Sequence, residues 1–418
     1  MVDDLLKHAH ELDAADELAG FRERFVVTDP SLVYLDGNSL GRLPKATRER
    51  LRRAVDEEWG GELIRGWDRW IGLAAEVGDL IGTAVLEAAP GEVVLSDSTS
   101  VNLYKLAVAA CDARPGRKVV VTDDDNFPTD QYVLQGVAAT REMRLRVVPT
   151  DLDAGVSLAG VSAALDDDVA LVSLSHVAYR SGGIADLAGI TAAAHEAGAL
   201  VLWDLSHSVG AVRVPLRSAG ADLAVGCTYK HLGGGPGAPA FLYVRRDLQE
   251  ALRQPIWGWF GQRDQFAMGG TYDPVESVER FLVGTPPVLG AYAVREGVRL
   301  VAEAGIHRVE AKSRALGAYA IALHDAWLAP HGFALASPRE DDRRGAHVTL
   351  HHAAAWQVSQ ALRATKVIPD FRTPQRLRLG LAPLYTRFVD VFTAVDRLRA
   401  VMESGAWQAY PTAPSRVT

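Results

Sequence analysis

Cysteine is almost missing from this chain: Cys111 and Cys227 are the only two in 418 residues, and they are widely separated with no CxxC spacing. That excludes a disulfide framework and a cysteine-bound zinc knuckle, and it fits a reducing compartment. Long apolar runs are missing too. The longest stretches, such as 170–174 and 199–203, are far short of the about 20 residues a bilayer-spanning helix requires. Nor is there a basic excess: the formal charge is -8, whereas a phosphate backbone or an anionic lipid surface calls for a basic face. No nucleic-acid partner and no membrane partner are expected. The first twenty residues are acidic and helical in pattern, with no basic segment leading into an apolar core, so no secretory signal is read and a cytoplasmic location is expected. Internal repeats are lacking, and the only low-complexity stretch is a short polar tail after Pro411.

What is present is the balance of a globular protein, 48% apolar and 23% charged, in a chain long enough for two or three domains. The informative stretch is ADLAVGCTYKHLGGGPGAPA, residues 221–240. Its apolar run 223–228 reads as a buried strand, and the glycines at 233–235 and 237 with Pro236 cannot continue it. Lys230 therefore stands where a strand stops. At the carboxyl end of a strand in an open α/β sheet, an amine faces the crevice where ligands bind. A second apolar run, 199–203, ends in Asp204, 26 residues before that lysine. A strand ending in aspartate and another ending in lysine suit pyridoxal 5'-phosphate: the lysine binds the cofactor aldehyde as an imine and the carboxylate pairs with the pyridinium nitrogen.

Other residues are ambiguous on their own. Ser98, Thr99 and Ser100 precede a helical pattern, where hydroxyls either cap the helix or, with free backbone NH groups and the helix dipole, bind an anion such as a phosphate. The run Asp123–Asp125 reads as a solvated loop rather than a metal cage, because cages need spaced ligands. His351 and His352 are adjacent on a predicted strand, so their side chains point to opposite faces and no metal is expected there.

The segments YLDGNSLGRLP (34–44), DSTSVNL (97–103), NFPTD (126–130), DLSHSVG (204–210), CTYKHLGGGPG (227–237), GWFGQ (258–262), GTPP (284–287) and APLY (382–385) resemble, in the same order, those of the kynureninase family. The Asp and Lys spacing marks only a superfamily; NFPTD, GWFG and GTPP narrow it. The resemblance implies an α/β fold of the fold-type-I pyridoxal phosphate class, related to class V aminotransferases and cysteine desulfurases. A large domain with a mainly parallel, seven-stranded-type sheet would carry the cofactor, beside a smaller α+β carboxyl-terminal domain.

It further implies Lys230, Tyr229 and Asp204 as catalytic residues. Thr99, Ser100, Phe127, Asp130, Ser175, His207, Trp259 and Thr285 join these three as cofactor contacts, Phe127 by stacking on the pyridine ring. Trp259 and Thr285 are expected to reach the phosphate from the other subunit, so a homodimer with shared sites is implied. Arg378, seven residues before Tyr385, matches an arginine that grips the substrate α-carboxylate, with Arg372 and Arg376 as nearby competitors. Trp67 and Gly284 match substrate-facing positions, although a tryptophan such as Trp67 packs well without any ligand.

The expected reaction is hydrolysis of L-kynurenine to anthranilate and L-alanine. 3-Hydroxykynurenine is a second candidate substrate, less favoured because Trp67, Gly284 and Thr285 look like the bacterial branch. The competing expectation is a related lyase or aminotransferase on a kynurenine analogue. Gln262 and Gly233 depart from the family pattern, which more often has histidine and asparagine there. The expected division is an arm, 1–45, joining the small domain; a cofactor-binding domain, 46–290; and a small domain, 291–418. Predicted elements include a helix over 13–25 and a strand over 376–385.

Overall fold

The computed structural model describes residues 2–412, so most of the polar tail read after Pro411 lies outside the described residues. Thirteen strands occur among them: β1 (Val33–Tyr34), β2 (Val93–Ser96), β3 (Val119–Asp123), β4 (Arg144–Val148), β5 (Val169–Ser175), β6 (Leu200–Asp204), β7 (Leu223–Gly226), β8 (Ala240–Val244), β9 (Ala334–Leu335), β10 (His347–His351), β11 (Val367–Ile368), β12 (Asp370–Arg372) and β13 (Arg376–Gly380).

Seven of them form one sheet in the order β2-β8-β7-β6-β5-β3-β4, parallel except for β8, which runs against both neighbours. The interior strands are apolar nearly throughout because helices cover both faces of a parallel sheet. Val172, Leu174, Val201, Leu202 and Trp203 are all fully buried. The chain leaves β3 for β4 at one edge, then returns to β5 on the other side of β3 and steps onward through β6 and β7. That reversal is the topological switch point at which open α/β sheets bind ligands, at the carboxyl ends of the strands. Register fixes how those ends line up: Ser175 pairs with Asp204, and Asp204 with Val225.

A second sheet, β12-β13-β10-β9, is antiparallel and carries its own core of Leu350, Leu377, Leu379, Val391 and Leu398. The amino-terminal segment belongs to this side. β1 pairs in parallel with β11, and Asp13 accepts hydrogen bonds from the backbone NH groups of Phe388 (2.7 Å) and Val389 (3.0 Å), capping the helix Phe388–Ser404.

Two expected elements differ from what is observed. The helix read over 13–25 is instead a helix Val2–Ala14, a turn, and a 3-10 segment Ala19–Arg24. Asp16 explains the break: its carboxylate accepts from the backbone NH of Leu18 (2.9 Å) and pairs with buried Lys312 (2.6 Å), bonds that compete with helix continuation. The strand read over 376–385 stops at Gly380, whose NH turns to the carbonyl of Leu35.

Two close approaches shape the loop that follows β7. Gly41 donates its NH to the carbonyl of Tyr229 (2.9 Å), and a Cβ there would lie 2.3 Å from the carbonyl oxygen of Lys230. On the other side, a Cβ at Gly297 of helix Val288–Ala304 would lie 1.9 Å from the carbonyl oxygen of Leu232. Backbone cannot yield as a side-chain tip can. Gly297→Ala is therefore expected to lower stability by about 1–3 kcal/mol, the usual scale of overpacking, and to weaken cofactor binding by displacing the lysine loop. Unchanged thermal midpoint and cofactor affinity in that variant would refute the tight fit.

Candidate active site

Above the strand ends lies a cavity of ≈ 250 Å³ whose walls include Thr99, Ser100, Phe127, Asp130, Ser175, Asp204, His207, Tyr229 and Lys230. Nine of the fourteen residues singled out in the sequence thus meet at one place, brought there from five strand-to-loop junctions. Ser98 accepts from the NH of Val101 (3.4 Å) and caps the helix Thr99–Asp112, whose amino end opens onto the cavity. Capping and anion binding, alternatives in the sequence, coexist: Ser98 does the first, and Thr99 and Ser100 are left at the cavity wall for the second.

Lys230 Nζ lies 2.9 Å from His207 Nε2. Burial, and next the charge of Lys230, push the His207 pKa well below its usual value, so its imidazole is neutral. Asp204 accepts from the NH of Ser206 (2.7 Å). Against Asp204 stands Asp130, almost fully buried, its Oδ2 without a protein donor among the described residues. Burial first, and the Asp204 carboxylate second, hold Asp130 well above the usual carboxylate range. Both effects favour the protonated form of Asp130, because a buried carboxyl beside a second carboxylate ionises at high cost. Ser175 donates to Asn126 Oδ1 (2.8 Å). Phe127 is 40% exposed, a large flat apolar face left open at the cavity.

This donor set fits pyridoxal phosphate. An amine is available for its aldehyde, a buried acid pair for its ring nitrogen, an uncovered aromatic face for its ring, and a helix amino end with two hydroxyls for its phosphate.

The other five lie elsewhere in the chain. Trp67 packs edge-on to Trp70 and beside Phe260, and Trp259, 41% exposed, contacts Phe260 and Phe266. Gly284 and Thr285 are on the segment after Phe281 and do not line this cavity. Arg378 is buried just behind it: its guanidinium donates to the carbonyl of cavity-lining Tyr179, to Ser39 Oγ (3.2 Å) and to Asp370, with Nε 2.5 Å from Oδ2. Arg372 also pairs with Asp370 (2.8 Å) but keeps 28% of its side chain exposed, and Arg376 pairs with Asp153 (2.6 Å). Sequence reasoning did not find Asp370. Its role comes from register, which sets it opposite Arg378 across β12 and β13. It also did not find His347, a buried residue of β10 whose ring centroid is 5.6 Å from that of His207. Neither carries a local signal.

The run 123–125 corrects an expectation. Only Asp124 is exposed; Asp123 and Asp125 are buried, Asp125 paired with Arg180 and Asp123 accepting from the NH of Asp125 (3.0 Å). Burial, with the nearby charge of Asp124, raises the Asp123 pKa to about 7. An unfolded aspartate titrates at about 4, so the folded state holds this proton more tightly, and the group's contribution to stability declines as pH rises from about 4 through about 7. Asp123→Asn is expected to flatten the fall in urea midpoint between pH 5 and pH 8; identical pH dependence in both proteins would refute the assignment.

Comparison with known proteins agrees with this geometry. Residues 309–398 match the family model described as the kynureninase C-terminal domain. A kynureninase of Burkholderia pseudomallei is 42% identical over 411 residues, covering 96% of this chain and 97% of its own length. One from Pseudomonas fluorescens is 41% identical over 404 residues, with 95% of each covered. Among solved structures, the apo cysteine desulfurase of Thermococcus onnurineus superposes with a TM-score of 0.81 at 18% identity, covering 92% of this chain and 98% of that one. The cysteine desulfurase of Escherichia coli gives 0.77 at 19%, covering 92% and 99%. The fold is thus that of the fold-type-I pyridoxal phosphate enzymes, as the resemblance implied. With identity of this extent along nearly its whole length, the chain belongs to the kynureninase family.

Proposed function

We propose that this protein hydrolyses the side chain of L-kynurenine, giving anthranilate and L-alanine, with pyridoxal 5'-phosphate bound at Lys230. The observation that carries the reading is the convergence, on one cavity, of the Lys230 amine, the Asp204 and Asp130 acid pair, the open face of Phe127 and the helix end at Thr99 and Ser100. Pyridoxal phosphate supplies an electron sink conjugated with the substrate α-carbon.

The chain's residues do the rest. Asp204 holds the ring nitrogen cationic, while Asp130 keeps a proton beside it; Phe127, Ser175 and His207 orient the ring; Thr99 and Ser100 take the phosphate. Lys230 Nζ removes and returns the proton at the α-carbon, a general acid–base role. His207, neutral and in contact with that amine, accepts a hydrogen bond from it. Tyr229 is the candidate proton donor in the later steps. Its phenol is held above the usual value by Cys227 and by burial, so it keeps its proton at neutral pH. Arg378, with Arg372 sharing Asp370, is the candidate for the substrate carboxylate.

The second half of the site is assigned to a partner copy. Trp259, Thr285, Gly284 and Trp67 do not line their own chain's cavity, and Trp259 (41% exposed) and Phe266 (65%), in edge-on contact, leave apolar surface uncovered. This supports a homodimer with shared sites, in which Trp259 and Thr285 complete the phosphate contacts of the neighbour, while Trp67 and Gly284 remain candidates for substrate contacts. The pairing of β1 with β11 and the two separate cores support an amino-terminal arm joining a small domain beside a cofactor domain, with the boundary drawn near residue 310 rather than at the expected 290, because Ala291, Val294, Val298, Val301 and Val309 pack into the core of the large sheet. A place in tryptophan catabolism, or in the branch toward NAD biosynthesis, and a cytoplasmic location complete the reading.

Purified protein supplied with pyridoxal phosphate and L-kynurenine is expected to release fluorescent anthranilate, faster than it turns over 3-hydroxykynurenine. Borohydride reduction followed by peptide mapping should label Lys230, and Lys230→Ala should lose activity by at least about 10²–10⁴-fold, the scale of a lost general acid–base group. Bound cofactor without anthranilate release would instead favour a lyase or aminotransferase acting on an analogue. Sedimentation velocity should find a dimer; a fully active monomer would refute shared sites.

A further inference from the structure

Lys105 is a lysine with no exposed surface, on the helix Thr99–Asp112 that opens at the cavity. Burying an ammonium is costly unless every donor is satisfied, and here all three are. Its Nζ donates to Ser96 Oγ (3.0 Å), to Asp97 Oδ2 (2.7 Å) and to the backbone carbonyl of Phe281 (2.7 Å). Ser96 Oγ donates in turn to Asp97 Oδ2 (2.6 Å), and Asn102 Nδ2 donates to the Ser96 carbonyl (2.7 Å). Asp97 adopts φ 42°, in the left-handed region that a non-glycine residue occupies only when its surroundings hold it there. The residues that follow it directly are Ser98, Thr99 and Ser100, all on the cavity wall.

We infer that Lys105 is a positioning residue for the phosphate-binding turn. Its ammonium pins the side chains of Ser96 and Asp97 and so fixes the strained peptide that aims Thr99, Ser100 and the helix amino end at the cavity. Through the Phe281 carbonyl it ties the same turn to the segment that leads on to Gly284 and Thr285. A methionine or leucine would fill the space without the desolvation cost, so what the charge contributes is direction: it holds the end of β2 and the 278–281 segment in one fixed relation.

This rests on the pyridoxal phosphate reading, and the test separates the two. Dissociation constants of the apoprotein for pyridoxal phosphate and for pyridoxal, which lacks the phosphate, are measured by absorbance for wild type, Lys105→Met and Asp97→Asn. Leu398→Ala, in the remote core of the small sheet, serves as an equally destabilising control. Lys105→Met is expected to weaken pyridoxal phosphate binding by about 10–100-fold, the worth of a charge-assisted hydrogen bond, and to leave pyridoxal binding unchanged. Asp97→Asn should show the same selective loss to a smaller degree, and it supplies the answer if Lys105→Met does not fold. Equal loss for both ligands, loss matched by Leu398→Ala, or no loss in either variant would overturn the inference. A wild type that does not prefer pyridoxal phosphate to pyridoxal would instead overturn the cofactor reading.

Discussion

Parallel pairing at the centre of the large sheet is the constraint on which the rest depends. Because Ser175 lies opposite Asp204, and Asp204 opposite Val225, the strands β5, β6 and β7 end at one level, and their next residues emerge onto one surface. A slip of one residue would turn Asp204 to the other face of the sheet and present Trp203 in its place. The nearly continuous apolar interior of these strands makes such a slip costly, so the packing energy of the core is also what aims the acid and the amine.

The site is then closed by polar contacts between the two sheets. The segment after β5 carries much of this. The carbonyl of Tyr179 accepts from Arg378, that of Arg180 from Thr349 Oγ1, and that of Ser181 from Ser337 Oγ, while Gly345 donates its NH to the carbonyl of Gly182. Each bond satisfies a backbone oxygen that would otherwise be buried unpaired, so the small sheet holds this segment by need rather than by chance fit. The same segment contributes Tyr179 and, just before it, Ser175 to the cavity. Arg378 therefore stands at a junction: it belongs to the small sheet, bonds to the cavity wall, and shares Asp370 with Arg372.

Much of this was legible in the chain, and the misses have physical causes. Lys230 and Asp204 could be read because each ends a short apolar run, a local signal. Helix 13–25 was misplaced because Asp16 spends its carboxylate on Leu18 and Lys312, the latter nearly 300 residues away, which no local periodicity reveals. Asp123 and Asp125 looked like solvated charges because aspartates usually are; their burial depends on Thr150 and Arg180 folding over them. Arg378 was singled out, but its occupied state was not, since Asp370 meets it only through strand pairing.

By itself, the amino-acid sequence determined the alternation of strands and helices, the lysine and acid at strand ends, and, through its motifs, the family. Those features are local, written in runs of a few residues whose polarity and turn chemistry need no partner. The tertiary structure alone decided which polar groups are buried against one another: the Asp130 carboxyl beside Asp204, the contact of Lys230 with His207, and the ammonium of Lys105 against Ser96 and Asp97. Those depend on groups distant in the chain being brought within hydrogen-bonding range and away from water, where the electrostatic consequences of each contact are largest.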